Sequence, residues 1–254
     1  MIGGRSGRLG RPALIAIAAT AVIAISAGAA LAQGFSIQFD DNTTLTERAV
    51  QLVALLTVLS LAPSILIMVT SFTRIIVVLS LLRSAIGLQT APPNSVMISL
   101  ALFLTAFIMA PTFQIAYDTG VAPLVAGEID FEQAFERGSV PFHAFMRNNV
   151  RENDLALFME MANEEPPATP EELSLRILVP AFMIGELRRA FEIGFLLYLP
   201  FLIIDLVIAS VLMSMGMMML PPVVISLPFK LIFFVLVDGW NLIAGSLVRS
   251  FGGG

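Results

Sequence analysis

Asp205-Leu206-Val207-Ile208-Ala209-Ser210-Val211-Leu212-Met213-Ser214-Met215-Gly216-Met217-Met218-Met219-Leu220-Pro221-Pro222-Val223-Val224-Ile225-Ser226-Leu227-Pro228-Phe229-Lys230 is two apolar arms joined by a turn. Gly216 and the Pro221-Pro222 pair mark the turn. Five methionines sit on it: Met213, Met215, Met217, Met218 and Met219. Methionine is unbranched and polarizable, so it fills irregular gaps and reseals after deformation. The plain reading of the cluster is packing inside a membrane-buried core; the sharper one is a soft surface that yields and closes again. The arms carry one charge each. Asp205 lies as far before the centre of the turn as Lys230 lies after it. In an antiparallel helical hairpin both would stand about 18 Å from the bend, at a rise of 1.5 Å per residue. Ionised groups at bilayer depth are costly and face protein or water. The spacing therefore predicts a buried acid–base pair, within one chain or across two copies.

The rest of the chain agrees with a membrane class. Of 254 residues, 57% are hydrophobic and 13% charged, and the mean hydropathy is +0.89. That is far too apolar for a soluble domain of this length. There is no cysteine and a single histidine, His143, so disulfides and clustered-histidine metal sites are excluded. The net charge of −5 and the lack of any basic stripe argue against nucleic acid. No phosphate-cradling glycine loop, zinc-protease helix or nucleophile elbow occurs. The sequence predicts no enzyme, no cofactor and no metal.

Segments are read outward from the turn. Arg5, Arg8 and Arg11, the apolar run Ala13 to Ala27 and the small-residue site Ala30-Leu31-Ala32 read as a cleaved signal peptide over 1–32. A polar lead follows over 33–48, ending in a capping box at Thr44 to Glu47. Residues 49–116 read as a first apolar hairpin, interrupted at Thr70 to Arg74, turned at Gly87 to Pro93, capped by Asn94 and broken near Pro111. Residues 117–176 hold most of the acidic residues; Phe131, Phe135, Leu155, Phe158, Met159 and Ala162 recur there at helical spacing. That stretch reads as an acidic amphipathic helical insert outside the bilayer, with His143 as one of its partly exposed residues. Thr169-Pro170-Glu171-Glu172 is a second capping box that restarts a helix. Residues 177–250 read as a second apolar hairpin, with the methionine turn at 213–219 as its apex. In its first arm Glu186 is expected to pair with Arg189, three residues on. Pro63, Pro111, Pro200 and Pro228 lie within or near the ends of the apolar segments and predict broken helices. The expected fold is all-α: two long, broken helical hairpins with the acidic insert between them.

Two longer stretches carry a resemblance. One is Met68-Val69-Thr70-Ser71-Phe72-Thr73-Arg74-Ile75, continuing at Leu88-Gln89-Thr90-Ala91-Pro92-Pro93-Asn94. The other is Pro180-Ala181-Phe182-Met183-Ile184-Gly185-Glu186-Leu187-Arg188-Arg189-Ala190-Phe191-Glu192-Ile193-Gly194-Phe195. With the methionine turn, these resemble the FliP family of flagellar biosynthesis proteins, over essentially everything after Leu45. The second stretch departs from the family pattern at Gly185, where a small polar residue is expected.

The resemblance implies a subunit of a helical oligomeric pore, the export gate of flagellar type III secretion. Several copies would assemble with FliQ-like and FliR-like chains, and unfolded rod, hook and filament subunits would pass. It implies the bacterial inner membrane at the flagellar basal body, with the insert on the periplasmic side. It implies a gasket of Met213, Met215, Met217, Met218 and Met219. Charges within the apolar helices would serve assembly: Glu186, Asp205 and Lys230, joined by Arg189 and Arg74. The alternatives are a virulence-type secretion homologue, which the signal peptide disfavours, and a small-molecule or ion transporter or channel. Buried charges and broken helices also mark transporters, but no inverted repeat supports that reading.

Overall fold

The computed structural model describes residues 53, 56, 57, 60, 61, 64–88, 90–165, 167, 169–217 and 219–252. The chain divides into two units, Met1–Leu59 and Ser60–Gly254. The fold described below is that of the second. The signal peptide, the polar lead and the Thr44–Glu47 capping box lie outside the described residues, as does the start of the first hairpin.

Among the described residues every regular element is helical. Helix α1 is Phe72–Ile86, α2 is Asn94–Ala116 and α3 is Ala122–Val125, with a π turn at Tyr117–Val121 joining the last two. The insert contributes α4, Phe131–Asn149, and α5, Glu152–Ala162. Then come α6, Leu175–Ser214, α7, Pro222–Leu236, and α8, Gly239–Gly252. Among the described residues two helical stretches are long and apolar enough to cross a membrane, Asn94–Val125 and Leu175–Ser214; α7 and α8 would make a third only if taken together across a 62° bend. The break expected at Thr70 to Arg74 falls at residues 69–71, between the helical residues 64–68 and α1.

Helix α1 is the centre of the fold. Its Ile75, Val78, Leu79 and Leu82 are at most 1% exposed, against Met97 and Ala101 of α2, Ala190 and Phe201 of α6, Phe234 of α7, and Ile243 and Leu247 of α8. Each such side chain contributes about 1.5–3 kcal/mol on burial. Helix α1 runs in the same direction as α6: Arg74 meets Glu186, and further along Leu81 meets Gly194. The two helices approach closely at that second crossing: a Cβ at Gly194 would lie 2.2 Å from Leu81 Cδ1, so the leucine side chain would have to turn aside. A second cluster, Met146 with Leu173, Ile177, Leu178 and Phe182, is covered by Leu155, Phe158, Met159 and Ala162 of α5. Helix α5 thus packs through the apolar positions its spacing marks. Phe131 and Phe135 do not follow: they are 75% and 69% exposed.

Four helix ends are set by residues that accept positive φ. Gly87, Gly127, Asn163 and Gly216 close α1, α3, α5 and α6 with φ of 91°, 74°, 53° and 74°. At each, two backbone N–H groups return to the last-turn carbonyls, as Gly87 to Ser84 and Leu88 to Arg83, and Gly216 to Met213 and Met217 to Leu212.

Several sequence expectations are corrected here. Pro111 does not break α2, and the helical path runs past 116 through the π turn to Val125. Pro180 and Pro200 lie inside one uninterrupted 40-residue helix, and Pro228 inside α7. A proline inside a helix removes one hydrogen bond and strains one turn, but neighbouring helices hold the rest of the ladder. The interruption in the second hairpin instead falls at Val237-Asp238, where Asp238 has φ +50°. The Thr169 capping box does not start a helix. Pro170–Glu172 forms one 3-10 turn, and α6 begins after Ser174, whose hydroxyl accepts from Arg176 N. Asn94 does not cap α2 either, because its side chain accepts from Arg83 instead.

Candidate functional site

The first functional cluster forms where α1 begins. Arg74, in the first turn of α1, and Glu186, on the inward face of α6, have side chains 1% and 0% exposed. Arg74 Nε donates to Glu186 Oε2 at 2.8 Å and its terminal nitrogen donates to Oε1 at 2.5 Å. This is the two-pronged geometry that a planar guanidinium offers a carboxylate. The remaining nitrogen of Arg74 donates to Ser250 O at 3.2 Å and Ser250 Oγ at 3.0 Å. The Phe251 ring covers the guanidinium, with Cζ 3.6 Å from the ring centroid. Two expectations change. Arg74, expected at the end of the Thr70 to Arg74 interruption, is inside α1 and sealed. Glu186 does not pair with Arg189: its carboxylate faces inward to Arg74, while Arg188 turns outward to Glu192 at 3.1 Å.

The second cluster lies where α1 ends. Lys230 Nζ donates to Asp205 Oδ2 at 2.6 Å and to Ala85 O at 3.2 Å. Ser226 Oγ donates to Asp205 Oδ1 at 2.5 Å. The two charges that stand symmetrically about the turn therefore meet within one chain. Lys230 also supplies a cation to the carbonyl end of α1, where the helix dipole favours it. Burial is uneven here: the Lys230 side chain is 4% exposed and that of Asp205 25%.

The methionine turn is neither charged nor sealed. Met213, Met215 and Met219 are 58%, 65% and 99% exposed, and Met217 is half-buried. Met218 lies outside the described residues. The chain enters the turn through the Gly216 reversal, and α7 starts at Pro222, a first-turn position that suits proline. Among the described residues no group of three or more histidine and carboxylate side chains is placed to hold a metal ion.

A family model, described as the FliP family, matches residues 55–247. The chain belongs to the FliP family. Its similarity to individual relatives is broad. It is 60% identical to the flagellar biosynthetic protein FliP of Caulobacter vibrioides, over 99% of this chain and 95% of that one. It is 52% identical to the protein of the same name from Rhizobium meliloti, over 92% and 98% of the two chains. The Bacillus subtilis protein of that name is 52% identical over 85% and 97%.

Within this FliP-family chain the structure brings Arg74 to Glu186 and Asp205 to Lys230, and leaves Arg189 outside both pairs. Sequence reading missed the neutral partners: Ser226, the Ala85 carbonyl, Ser250 and Phe251. Ser226 carried a signal, since it lies four residues before Lys230 and so on the same helix face. His143 is half-buried, with Nε2 2.8 Å from Leu173 O, so it ties α4 to the segment entering α6. The departure at Gly185 also has a structural counterpart. A Cβ there would lie 3.2 Å from Asp154 Oδ2, a buried carboxylate oxygen with no hydrogen-bond partner.

Proposed function

We propose that this FliP-family chain is a pore-forming subunit of the flagellar type III protein-export gate. Several copies assemble with FliQ-like and FliR-like chains at the flagellar basal body in the bacterial inner membrane, with the insert on the periplasmic side. Unfolded rod, hook and filament subunits pass through the ring. The methionine turn is the gasket that closes it when idle, and the buried ion pairs fix the helices that carry the turn.

The observation that carries this reading is the methionine turn itself. Met213, Met215 and Met219 are left exposed at the apex of a hairpin whose arms are locked together by Lys230 and Asp205. Soft apolar side chains on a rigid stem suit a seal around cargo of varying width. The breadth of the match to proteins named for flagellar biosynthesis supports the choice of system.

The test is to replace Met213, Met215, Met217, Met218 and Met219 together by alanine in a strain that depends on this chain. Assembly of the chain into its membrane complex is expected to persist, with a new leak of small ions across the membrane. Lost assembly without a leak would make the turn a scaffold element and overturn the gasket. Normal motility with a defect in uptake of one small solute would overturn the export gate in favour of a transporter.

A further inference from the structure

Arg74 holds more than its counter-ion. The bidentate bond to Glu186 ties α1 to α6, but three further contacts all go to the end of α8: Ser250 O, Ser250 Oγ and the Phe251 ring. The Ser250 hydroxyl accepts from Arg74 while donating to Leu247 O at 2.7 Å, so its proton and one lone pair are both used. Phe251 also stacks on Phe145 of α4, at 6.0 Å between centroids, and Phe145 meets Phe182 of α6 edge-on at 5.9 Å. The last turn of α8 is thereby seated on the more deeply buried of the two paired cations.

The other end of α8 is a bend. Helix α7 and helix α8 meet at 62° across Val237-Asp238. Asp238 adopts φ +50°, which costs a non-glycine residue strain. Its carboxylate accepts from Asn241 Nδ2 at 3.1 Å. Gly239 sits against the Phe234 ring so closely that a Cβ would lie 2.2 Å from Cε2. Phe234 and Trp240 face edge-on across the bend at 5.3 Å. A crevice of about 250 Å³ opens beside the bend, lined by Leu82, Phe201, Phe234 and Gly239 among others. No covalent or proline constraint holds the angle. Straightening is opposed by the burial of Ile243 and Leu247 in the core and, at the far end of α8, by the seat on Arg74.

We infer that Ser250 and Phe251 form a latch on Arg74 that fixes the direction of α8, with Val237-Asp238 as its hinge. Released from Arg74, α8 swings toward the direction of α7 while α1 and α6 stay paired through Glu186. Ser250 and Phe251 are positioning residues, and the moving part is the arm between hinge and latch. This stands apart from the export-gate reading, because it concerns the geometry of one chain.

The absence of native cysteine allows paired spin labels on the full-length chain in detergent micelles. Gly252→Cys, where a Cβ meets nothing within 4 Å, and Ile184→Cys, on an exposed position of α6, report the latch. Ser84→Cys with Leu199→Cys, both exposed, reports the α1–α6 pairing. The parent chain is expected to give one narrow distance distribution for each pair. Phe251→Leu, which keeps apolar bulk but removes the ring, should give the latch pair a second, longer component of at least about a tenth of the molecules; such a contribution is in keeping with a desolvated cation–ring contact. Phe251→Trp should restore the single distribution. A latch pair unmoved by Phe251→Leu would overturn the inference. So would equal broadening in both pairs, since Phe251 would then be holding the core rather than α8, or broadening that Phe251→Trp fails to reverse.

Discussion

At its first turn α1 places a cation among five contacts, and at its last turn it receives one from α7. Both pairs draw their carboxylate from α6. They differ in what surrounds them. The Arg74 and Glu186 side chains are 1% and 0% exposed, whereas Asp205 keeps a 25% exposed side chain beside a sealed Lys230. In the first pair each partner depends wholly on the other and on its hydrogen bonds, because no water reaches either. In the second, only the ammonium is sealed, and the carboxylate retains part of its hydration. Burial of both partners, more than the length of the bond, decides how much rests on a pair.

The largest effect should come from the sealed pair. Glu186→Ala strands Arg74 without a counter-charge and is expected to cost about 3–5 kcal/mol. Denaturant or thermal unfolding of the full-length chain in detergent measures it. Replacing both residues by apolar ones of similar size should recover most of the loss; no recovery would mean that the pair does more than satisfy itself. Asp205→Ala should cost less, about 1–3 kcal/mol, because the Asp205 side chain is 25% exposed and water can take the place of its carboxylate beside Lys230. The double exchange Asp205→Lys with Lys230→Asp should restore part of that. A loss as large as that of Glu186→Ala would erase the distinction between the two pairs.

A third site sharpens the comparison by gain. Gly185→Ser would offer a hydroxyl to the unpartnered Asp154 oxygen and is expected to stabilise the chain by about 1 kcal/mol, the usual net value of a hydrogen bond. A loss would mean that α5 cannot move the few tenths of an ångström that the new Cβ requires.

The smallest effect belongs to the surface pair of Arg147 and Glu171. Here the hydrogen bond from Arg147 holds the Glu171 carboxyl below the usual carboxylate range. A lowered folded-state pKa adds stability above the unfolded value and loses it as pH falls through the folded value. Glu171→Gln should therefore differ slightly from the parent at neutral pH, and the difference should vanish toward acid pH, read by paired melting curves. A difference that grows toward acid would reverse the sign and the account of the pair.

The two pairs were unequally legible in the sequence. Asp205 and Lys230 stand at equal distance from one turn, so the hairpin alone brings them level. Arg74 and Glu186 are 112 positions apart, and nothing local to either points to the other. Glu186 had a nearer arginine on its own helix, and short-range pairing was the natural choice. It failed because the side chain of Glu186 lies on the face of α6 that α1 covers. Proline misled for a related reason: α2 and α7 each carry one inside, and α6 two, without ending there. The true bend, at Val237-Asp238, has no proline, though Asp238-Gly239 is a turn dipeptide in its own right. Helical spacing found the packed side of α5 but not the fate of Phe131 and Phe135, since apolar spacing marks a face without saying whether anything covers it.

Helix α6 has 40 residues without a break, a contour of about 60 Å at 1.5 Å per residue. A hydrocarbon layer is about 30 Å thick, so roughly half of such a rod stands clear of it unless the rod lies steeply aslant. Glu186 sits in its first half and the methionine apex at its far end, which makes α6 a strut with a fixed pivot near one end. From Glu186 to Met213 the strut measures about 40 Å, so a tilt of about 5° displaces its tip by about 3.5 Å, less than one helical turn. A tilt of that size about Glu186 would move Met213 and Met215 by about the width of a side chain only if the end of α1, tied to Asp205 through Lys230, moved with it.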